Sequence, residues 1–493
     1  MERIPVEIWR RVFSLVCLPD SVLFPGCSRR VRARPYSLLC VCTHWRRIVS
    51  EFPQLWASIS ISGDFSTDFF PHLDNLLRKS RNSPLTIRIS FHYFVDHRYL
   101  KHEYHDSAGD CIAFIAKHAL NRCRHLITNC NLWEFINSRA IDVSFPALEY
   151  LETDIPYWSS GPSLSLDAPI LTRLKIRDPY YQPGSDKFLP YGSLTSLEFG
   201  RNDDIKPHEF IVKVLPLCSN LQSLTVPFGF ASIDHHGHHC IVPEQPIGFP
   251  SLKHLRIRIA WFRYDLISLF KHFEFPNLSS FEIEWSVSYR DRYYIPPLRE
   301  IDPHFPPAFY RSLLGLEKLK LRFDAMDDPH EDVDYLTSLP EILEATSSIT
   351  DLELIQNSAT IRQFSVLLTP LTIGPDGLTV VPKLSSLFIF HGATIPCFRC
   401  TPSLEAVAGL EKCLLDMVEG RAKHAKAFDL RLEYSESVYS TKNECDDHGI
   451  SGFYTSIENR MQALKEYPGL KCRIREAEKA QFRAVSSSSL YQL

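Results

Sequence analysis

The chain has 493 residues, about three times an ordinary domain of ~150 residues. Its 54 Lys and Arg residues nearly balance 58 Asp and Glu residues for a net charge of −4. That balance points neither to a nucleic-acid-binding protein nor to an acidic disordered tail. Only 19 glycines accompany 34 prolines. Neither glycine-rich phosphate-binding pattern, G-x-x-x-x-G-K-[ST] or G-x-G-x-x-G, occurs, so nucleotide-driven chemistry and a nucleotide cofactor are not expected.

Met1-Glu2-Arg3-Ile4-Pro5 runs directly into an amphipathic pattern, so export is not expected. No apolar run reaches ~18 residues, so neither is a membrane span. Fourteen cysteines without a framework spacing fit free thiols in the cytosol or nucleus.

Residues 4–17 are expected to form a helix, with Pro5 in the first turn and Ile4, Ile8, Val12 and Val16 recurring every four residues. Pro19, Pro25 and Gly26 interrupt the pattern. A second helix follows Pro35, its stripe traced by Leu38, Val41, Cys42, Trp45, Ile48 and Val49. Pro53 ends it, and Ile59 and Ile61 alternate as a strand. Trp9, Trp45 and Trp56 give these first 60 residues three of the chain's seven tryptophans. A unit this small needs dense aromatic packing or a partner.

The segments Ile4-Pro5-Val6-Glu7-Ile8-Trp9, Val41-Cys42-Thr43-His44-Trp45-Arg46 and Pro53-Gln54-Leu55-Trp56 closely resemble an F-box, in particular the F-box-like domain abundant in fungal proteins. Ile4 stands where a leucine is usual, and the connection over 18–35 is longer than a minimal F-box. The resemblance implies a small helical module, residues 1–61, that docks on the Skp adaptor and through it on a cullin. Ile4, Pro5, Ile8 and Leu39 are the expected adaptor-facing residues. Val12, Phe13, Val41, Trp45 and Trp56 are expected to fill the module's own core.

Further along, one eleven-residue phrase recurs nine times, with lead residues Leu148, Leu171, Leu194, Leu221, Leu252, Leu278, Leu316, Ile349 and Leu384. Leu or Phe follows three residues later in all nine, and an apolar residue five later in eight, Thr153 being the exception. Such positions point inward on a short strand, and repeated units stack to share a core. The pattern resembles the irregular leucine-rich repeats carried by many F-box proteins. The fold class expected is α/β: an N-terminal helical module, then a solenoid of parallel strands and helices over 62–440, clearest at 145–391. Helices are expected over 71–80, 110–122, 207–217, 264–273, 336–345 and 403–420, and strands over 84–91 and 428–432. The remainder, 441–493, is expected to form a helical cap (452–467 and 473–482) and a disordered tail. Few phrases place Asn beyond the strand, so no continuous asparagine ladder is expected.

Metal motifs are incomplete. Cys397-Phe398-Arg399-Cys400 is a single half-site, and His235, His236, His238, His239 and Cys240 crowd one insertion. His102 and His105 stand one residue too close for a zinc helix, and the acidic stretch 327–334 lacks a calcium loop's glycine. No metal, other cofactor or catalytic constellation is expected, and the chain is not expected to be an enzyme. Arg29, Arg30, Arg32 and Arg34 could serve nuclear import or lie in a charged loop. Asn277-Leu278-Ser279 is a glycosylation sequon inside a repeat, an unsuitable place for a glycan.

Positions +2, +4 and +6 of each phrase face away from the core. Parallel stacking would align Arg256–Glu282–Lys320 and Arg258–Glu284–Arg322 as neutralising rows; the alternative is an acidic-target site. Arg173, Lys175 and Arg177 are target-binding candidates on the same face. So are Ile355, Phe388 and Phe390, an apolar cluster that marks either a recognition site or a surface beneath a cap. The function expected from the resemblance is target recognition for a cullin-based ubiquitin ligase, with the protein target unidentified. The alternative is an interaction scaffold without ligase partners. A metal-dependent enzyme using the histidine-rich insertion is a third reading.

Overall fold

The computed structural model describes residues 4–17, 22–24, 32–62, 69–90, 110, 113–128, 144–153, 166–177, 189–200, 213–228, 247–259, 273–285, 307–323, 339–356, 368–373, 379–392, 404–424, 427–435, 459 and 469–476. They fall in two compact units, one chiefly Met1–Leu221 and the other chiefly Gln222–Leu493. Both are α/β, each with a large open sheet of predominantly parallel strands.

The first unit begins with α1 (Val6–Cys17), the short strands β1 (Val22–Phe24) and β2 (Arg32–Ala33), α2 (Arg34–Leu39) and α3 (Thr43–Ser50). The single helix expected after Pro35 is thus two. Cys42 is extended (φ −160°, ψ 168°), and its thiol accepts the Trp45 amide at 3.4 Å, so it caps α3 instead of continuing the stripe. Phe13 lies against Trp9 and Trp45, with ring centroids 5.6 and 4.9 Å away, and Trp56 donates its indole N–H to the Val49 carbonyl at 3.2 Å. These aromatic contacts pack α1 and α3 at the start of the first unit.

The chain continues through β3 (Ser58–Ser62), α4 (Phe69–Lys79), β4 (Leu85–Ser90), β5 (Cys123–Thr128), β6 (Tyr150–Thr153), β7 (Arg173–Ile176) and β8 (Ser196–Phe199). The sheet order is β2-β1-β3-β4-β5-β6-β7-β8, with only β1 and β2 antiparallel. The expected 110–122 helix is helical at 110 and over 113–119 among the described residues and ends in a 3-10 turn at Leu120–Arg122. Arg122 ties that turn to α4 by donating to Ser80 Oγ and the Leu77 carbonyl, both at 2.8 Å. It also bonds the carbonyl of Arg81, which follows α4 in the left-handed region at φ 48°. Gly200 is required where it stands, because a Cβ would strike the Arg177 backbone.

The second unit contains β9 (Ser223–Phe228), β10 (Ile247–Gly248), β11 (His254–Ile259), β12 (Phe273–Glu274), β13 (Ser280–Trp285), α5 (Pro307–Ser312), β14 (Lys318–Phe323), α6 (Leu339–Ala345), β15 (Asp351–Gln356), β16 (Ser386–Gly392), α7 (Leu404–His424), β17 (Phe428–Ser435) and β18 (Leu470–Glu476). Its main sheet runs β9-β11-β13-β14-β15-β16-β17-β18, parallel throughout, while β10 and β12 pair separately. The expected 473–482 helix is contradicted at its start: residues 470–476 are a strand beside β17. Cys472 and Ile474 alternate there with Arg473 and Arg475, a period of two that suits a strand better than a helix. Likewise Phe273, expected to end the 264–273 helix, opens β12, whereas the described part of the expected 207–217 helix is helical at 213–214 and a 3-10 turn at Leu215–Leu217. The expected helix 452–467 lies outside the described residues except residue 459.

All nine phrases fold alike. Each lead amide donates to the carbonyl three residues earlier, from Leu148 to Phe145 through Leu384 to Val381. In every phrase the lead, +3 and +5 side chains are at most 3 % exposed, fully buried Thr153 included. The +1 hydroxyls of Thr172, Thr195, Ser279, Thr350 and Ser385 bond the +1 carbonyl of the preceding phrase, at 3.1–3.4 Å. Asn220 and Asn277 bridge likewise from position −1 to Gly192 and Pro250, at 2.8 and 2.7 Å. Neighbouring phrases are thus tied by scattered Ser, Thr and Asn side chains.

Arg421 of α7 is 1 % exposed. It donates to the Leu371 carbonyl at 3.2 and 3.1 Å, to that of Val381 at 2.8 Å and to Thr379 Oγ1 at 3.0 Å. Burial lowers its pKa to about 10. Arg421→Leu should reduce unfolding free energy in urea by roughly 2–4 kcal/mol, because buried carbonyls lose their donors. Lys423→Ala, which removes an exposed pair with Glu419, should cost less than about 1 kcal/mol.

Candidate functional site

Two surfaces carry the residues singled out by the sequence. The first is the outer face of α1 together with the residues just before it. Ile4 is 40 % exposed, Ile8 53 %, Leu15 68 % and Val16 48 %, while Phe13 and Cys17 turn inward at 1 %. Pro5 is exposed and its carbonyl accepts the Ile8 and Trp9 amides, so it precedes the helix instead of occupying its first turn. Leu39 is partly exposed on α2. Val12 and Val41, expected inside, are 39 % and 56 % exposed. The cause for Val41 is the break between α2 and α3; for Val12 it is that Phe13 takes the inward position against Trp45. Arg34 donates to the Val16 carbonyl at 2.9 Å, and among the described residues the indole nitrogens of Trp9 and Trp45 are buried without hydrogen-bond partners.

The second surface is the outward face of the strands. In the first unit, Thr86, His125, Tyr150, Arg173 and Ser196 line one row, and Glu152, Lys175 and Glu198 the next. Arg173 lies over the Tyr150 ring, 5.3 Å from its centroid. Arg177 pairs with Glu152 at 2.8 Å, and Lys175 with Glu152 and Glu198 at 3.5 and 3.6 Å. Arg173, Lys175 and Arg177 are therefore engaged within the sheet. Burial opposes ionisation of Glu152, but Arg177 and Lys175 and the Tyr150 hydroxyl outweigh it and hold the carboxyl below its ordinary range. Burial also pushes the Tyr150 phenol up, and with Arg173 and Arg124 it lowers the His125 pKa.

In the second unit the register aligns Arg256, Glu282, Lys320 and Glu353 in one row and Arg258, Glu284 and Arg322 in the next. Arg256 reaches Glu282 at 3.4 Å and Glu284 at 2.6 Å; Arg258 reaches Glu284 at 3.3 Å and Arg322 does so at 3.9 Å. Lys320 pairs with Glu353 at 3.2 Å. Glu284 and Arg322 are only 8 % and 7 % exposed, so the network lies partly beneath the surface. Beyond it the rows become apolar, with Ile355 beside Phe390 and Glu353 beside Phe388. Ile355 and Phe388 are partly exposed, whereas Phe390 is 8 % exposed.

His235, His236, His238, His239 and Cys240, the Cys397–Cys400 pair, His102 and His105, the acidic stretch 327–334, Arg29 and Arg30 lie outside the described residues. Among the described residues, no group of three or more His, Cys, Asp or Glu residues is placed to hold a metal. The described cysteines are free, and burial pushes the Cys123 and Cys218 thiols up to about 12. Asn277 uses its amide to bridge two repeats. No described helix is long and apolar enough to cross a membrane. Compared with models of known protein families and with curated proteins, the chain gives no match.

Glu284 generates the pH expectation. Burial disfavours its carboxylate, yet Arg256, Arg322 and Arg258 outweigh burial and depress its pKa. Its stabilising effect is then full above the ordinary glutamate value of 4.5 and is lost as pH falls through the lower folded value. Glu284→Gln should destabilise the protein by roughly 3 kcal/mol at pH 7. In urea titrations the gap from wild type should narrow as the solution is acidified.

Proposed function

We propose that this chain is the target-recognition subunit of a cullin-based ubiquitin ligase. In this reading α1 and its neighbours engage the Skp adaptor, the parallel repeats hold a protein target, and the chain itself performs no bond chemistry. The observation that carries it is the apolar outer face of α1, exposed at Ile8, Val12, Leu15 and Val16 and extended by exposed Ile4 just before the helix. That helix belongs to the segment whose Ile4-Pro5, Val41-Cys42 with Trp45-Arg46, and Leu55-Trp56 motifs resemble an F-box. The finer assignment, an F-box-like module followed by irregular leucine-rich repeats, is part of the proposal, as is a cytosolic or nuclear location.

Magnitudes support a partner for this face. Fully covering an aliphatic side chain stabilises by roughly 1.5–3 kcal/mol. Several such side chains together are comparable with the ~4–15 kcal/mol of lost freedom on association. Ligase function would follow from proximity: a target held on the sheet has its lysines at high effective concentration near the charged conjugating enzyme.

The test is co-purification of Skp adaptor and cullin with the full chain and with Ile8→Asp plus Leu15→Asp. Both positions are more than half exposed, so circular dichroism and melting temperature should be unchanged. Adaptor recovery should fall at least about tenfold with the charged variant. Equal recovery from both would remove this face as the docking site. No recovery from either would leave the interaction scaffold as the better reading.

A further inference from the structure

The row through the +4 positions of the second unit alternates in sign across four strands: Arg256, Glu282, Lys320, Glu353. Adjacent strands lie about 4.8 Å apart, so each charge is answered by its lateral neighbour. The alternation then stops. Phe388 follows Glu353, Arg431 follows Phe388, and Arg473 follows Arg431. Two arginines side by side are destabilising unless an anion answers them. Arg473 is answered by Asp429, at 3.3 Å. Arg431 is exposed, and among the described residues it has no ion-pair or hydrogen-bond partner. It stands directly beside Phe388, which is partly exposed, with Ile355 one row over.

We propose that Phe388, Ile355 and Arg431 form a docking site for an extended acidic segment of a partner protein, with an apolar side chain on Phe388 and Ile355 and a carboxylate on Arg431. The apolar cluster and the cation occupy adjacent strands, which sets the geometry of the ligand. In an extended peptide, residues i and i+2 share one side about 6.7 Å apart. Apolar–x–Glu therefore presents both groups to the site at once. An unanswered arginine beside a half-covered ring suits such a motif, because guanidinium binds carboxylate through paired hydrogen bonds while the ring excludes water around them. Arg256, Arg258 and Arg322 are already committed to Glu282 and Glu284, and Arg473 to Asp429, so they would compete poorly for an incoming acid. The proposal deepens the target-recognition reading and rests on it only for what the captured segment is for.

The experiment is fluorescence anisotropy with the purified full chain and three fluorescein-labelled decapeptides. The first repeats Leu-Ser-Glu-Ser, the second has Lys for Glu, and the third has Ser for Leu. The first should bind, with the other two weaker by at least about tenfold. Arg431→Gln and Phe388→Ser should each weaken the first peptide at least about tenfold, with melting temperature within about 1 °C of wild type. Ile8→Asp plus Leu15→Asp should leave peptide binding unchanged, so failure of the adaptor reading and failure of this one are separable. Absent binding of the first peptide, or unchanged binding by Arg431→Gln, would overturn the site. A melting temperature several degrees lower for Arg431→Gln would assign that arginine to the fold and overturn it too. A phosphoserine-for-Glu peptide binding more than about tenfold tighter would make the partner phosphorylated, contrary to the proposal.

Discussion

Each of the nine phrases opens with the same backbone hydrogen bond, from the amide of the lead residue to the carbonyl three residues before it. That bond closes a tight turn, drops the lead side chain into the core and aims the following residues along the strand. Once the lead is inside, the two-residue period of a strand forces +3 and +5 inside as well, and +2, +4 and +6 outward. The +1 carbonyl of one phrase then receives amides from both +1 and +2 of the next, as Glu149 does from Thr172 and Arg173, and Lys253 from Ser279 and Ser280. Turn, burial and lateral pairing are therefore one coupled constraint. It explains how phrases separated by variable connections keep strict register.

The ionic rows depend on that register and also protect it. Glu152, Glu284 and Glu433 are between 5 % and 9 % exposed. A strand slipped by one residue would drive such carboxylates into the core and expose the leucines that flank them. The correct register instead gives Glu284 three arginines and Glu152 both Arg177 and Lys175. Buried ion pairs add little net stability over apolar residues of equal size, but an unpaired buried charge costs several kcal/mol. Their effect is thus to penalise wrong pairings. This matters in a sheet built from phrases of one apolar pattern, any of which could pair with the wrong neighbour.

The sequence disclosed most where its signal had a period. The nine phrases, the inward +3 and +5 residues and the alignment of Arg256 with Glu282 and Lys320 all follow from one eleven-residue pattern. Where period was absent, geometry was hidden. The segment 473–482 is expected to be helical, yet 470–476 alternate with a period of two over too few residues to stand out, and pairing with β17 decides the strand. Cys42 continues an apolar stripe on paper, yet its thiol caps a new helix, and that break turns Val41 outward. Thr153 looked like a flaw in its repeat and is fully buried. The hydroxyls that bridge phrases were visible as Ser or Thr after five of the nine lead residues. Their meaning needed the neighbouring carbonyl, which no linear pattern contains.

Charge compensation in a parallel stack is a nearest-neighbour problem, because each outward residue has one lateral neighbour on either side. For Arg431 those neighbours are Phe388 and Arg473. Fold stability alone would favour an acid between a ring and an arginine, as Glu282 stands between Arg256 and Lys320. The penalty for a like pair on a sheet is roughly 0.2–1 kcal/mol, small against a total stability of about 5–15 kcal/mol. The fold can therefore carry this arginine without help, and nothing in the packing of the described residues requires it. Among the described residues, this exposed cation is neither needed nor neutralised by packing and stands beside a half-covered phenylalanine, which is the ground for proposing a partner there. The position is thus better accounted for by recognition than by architecture.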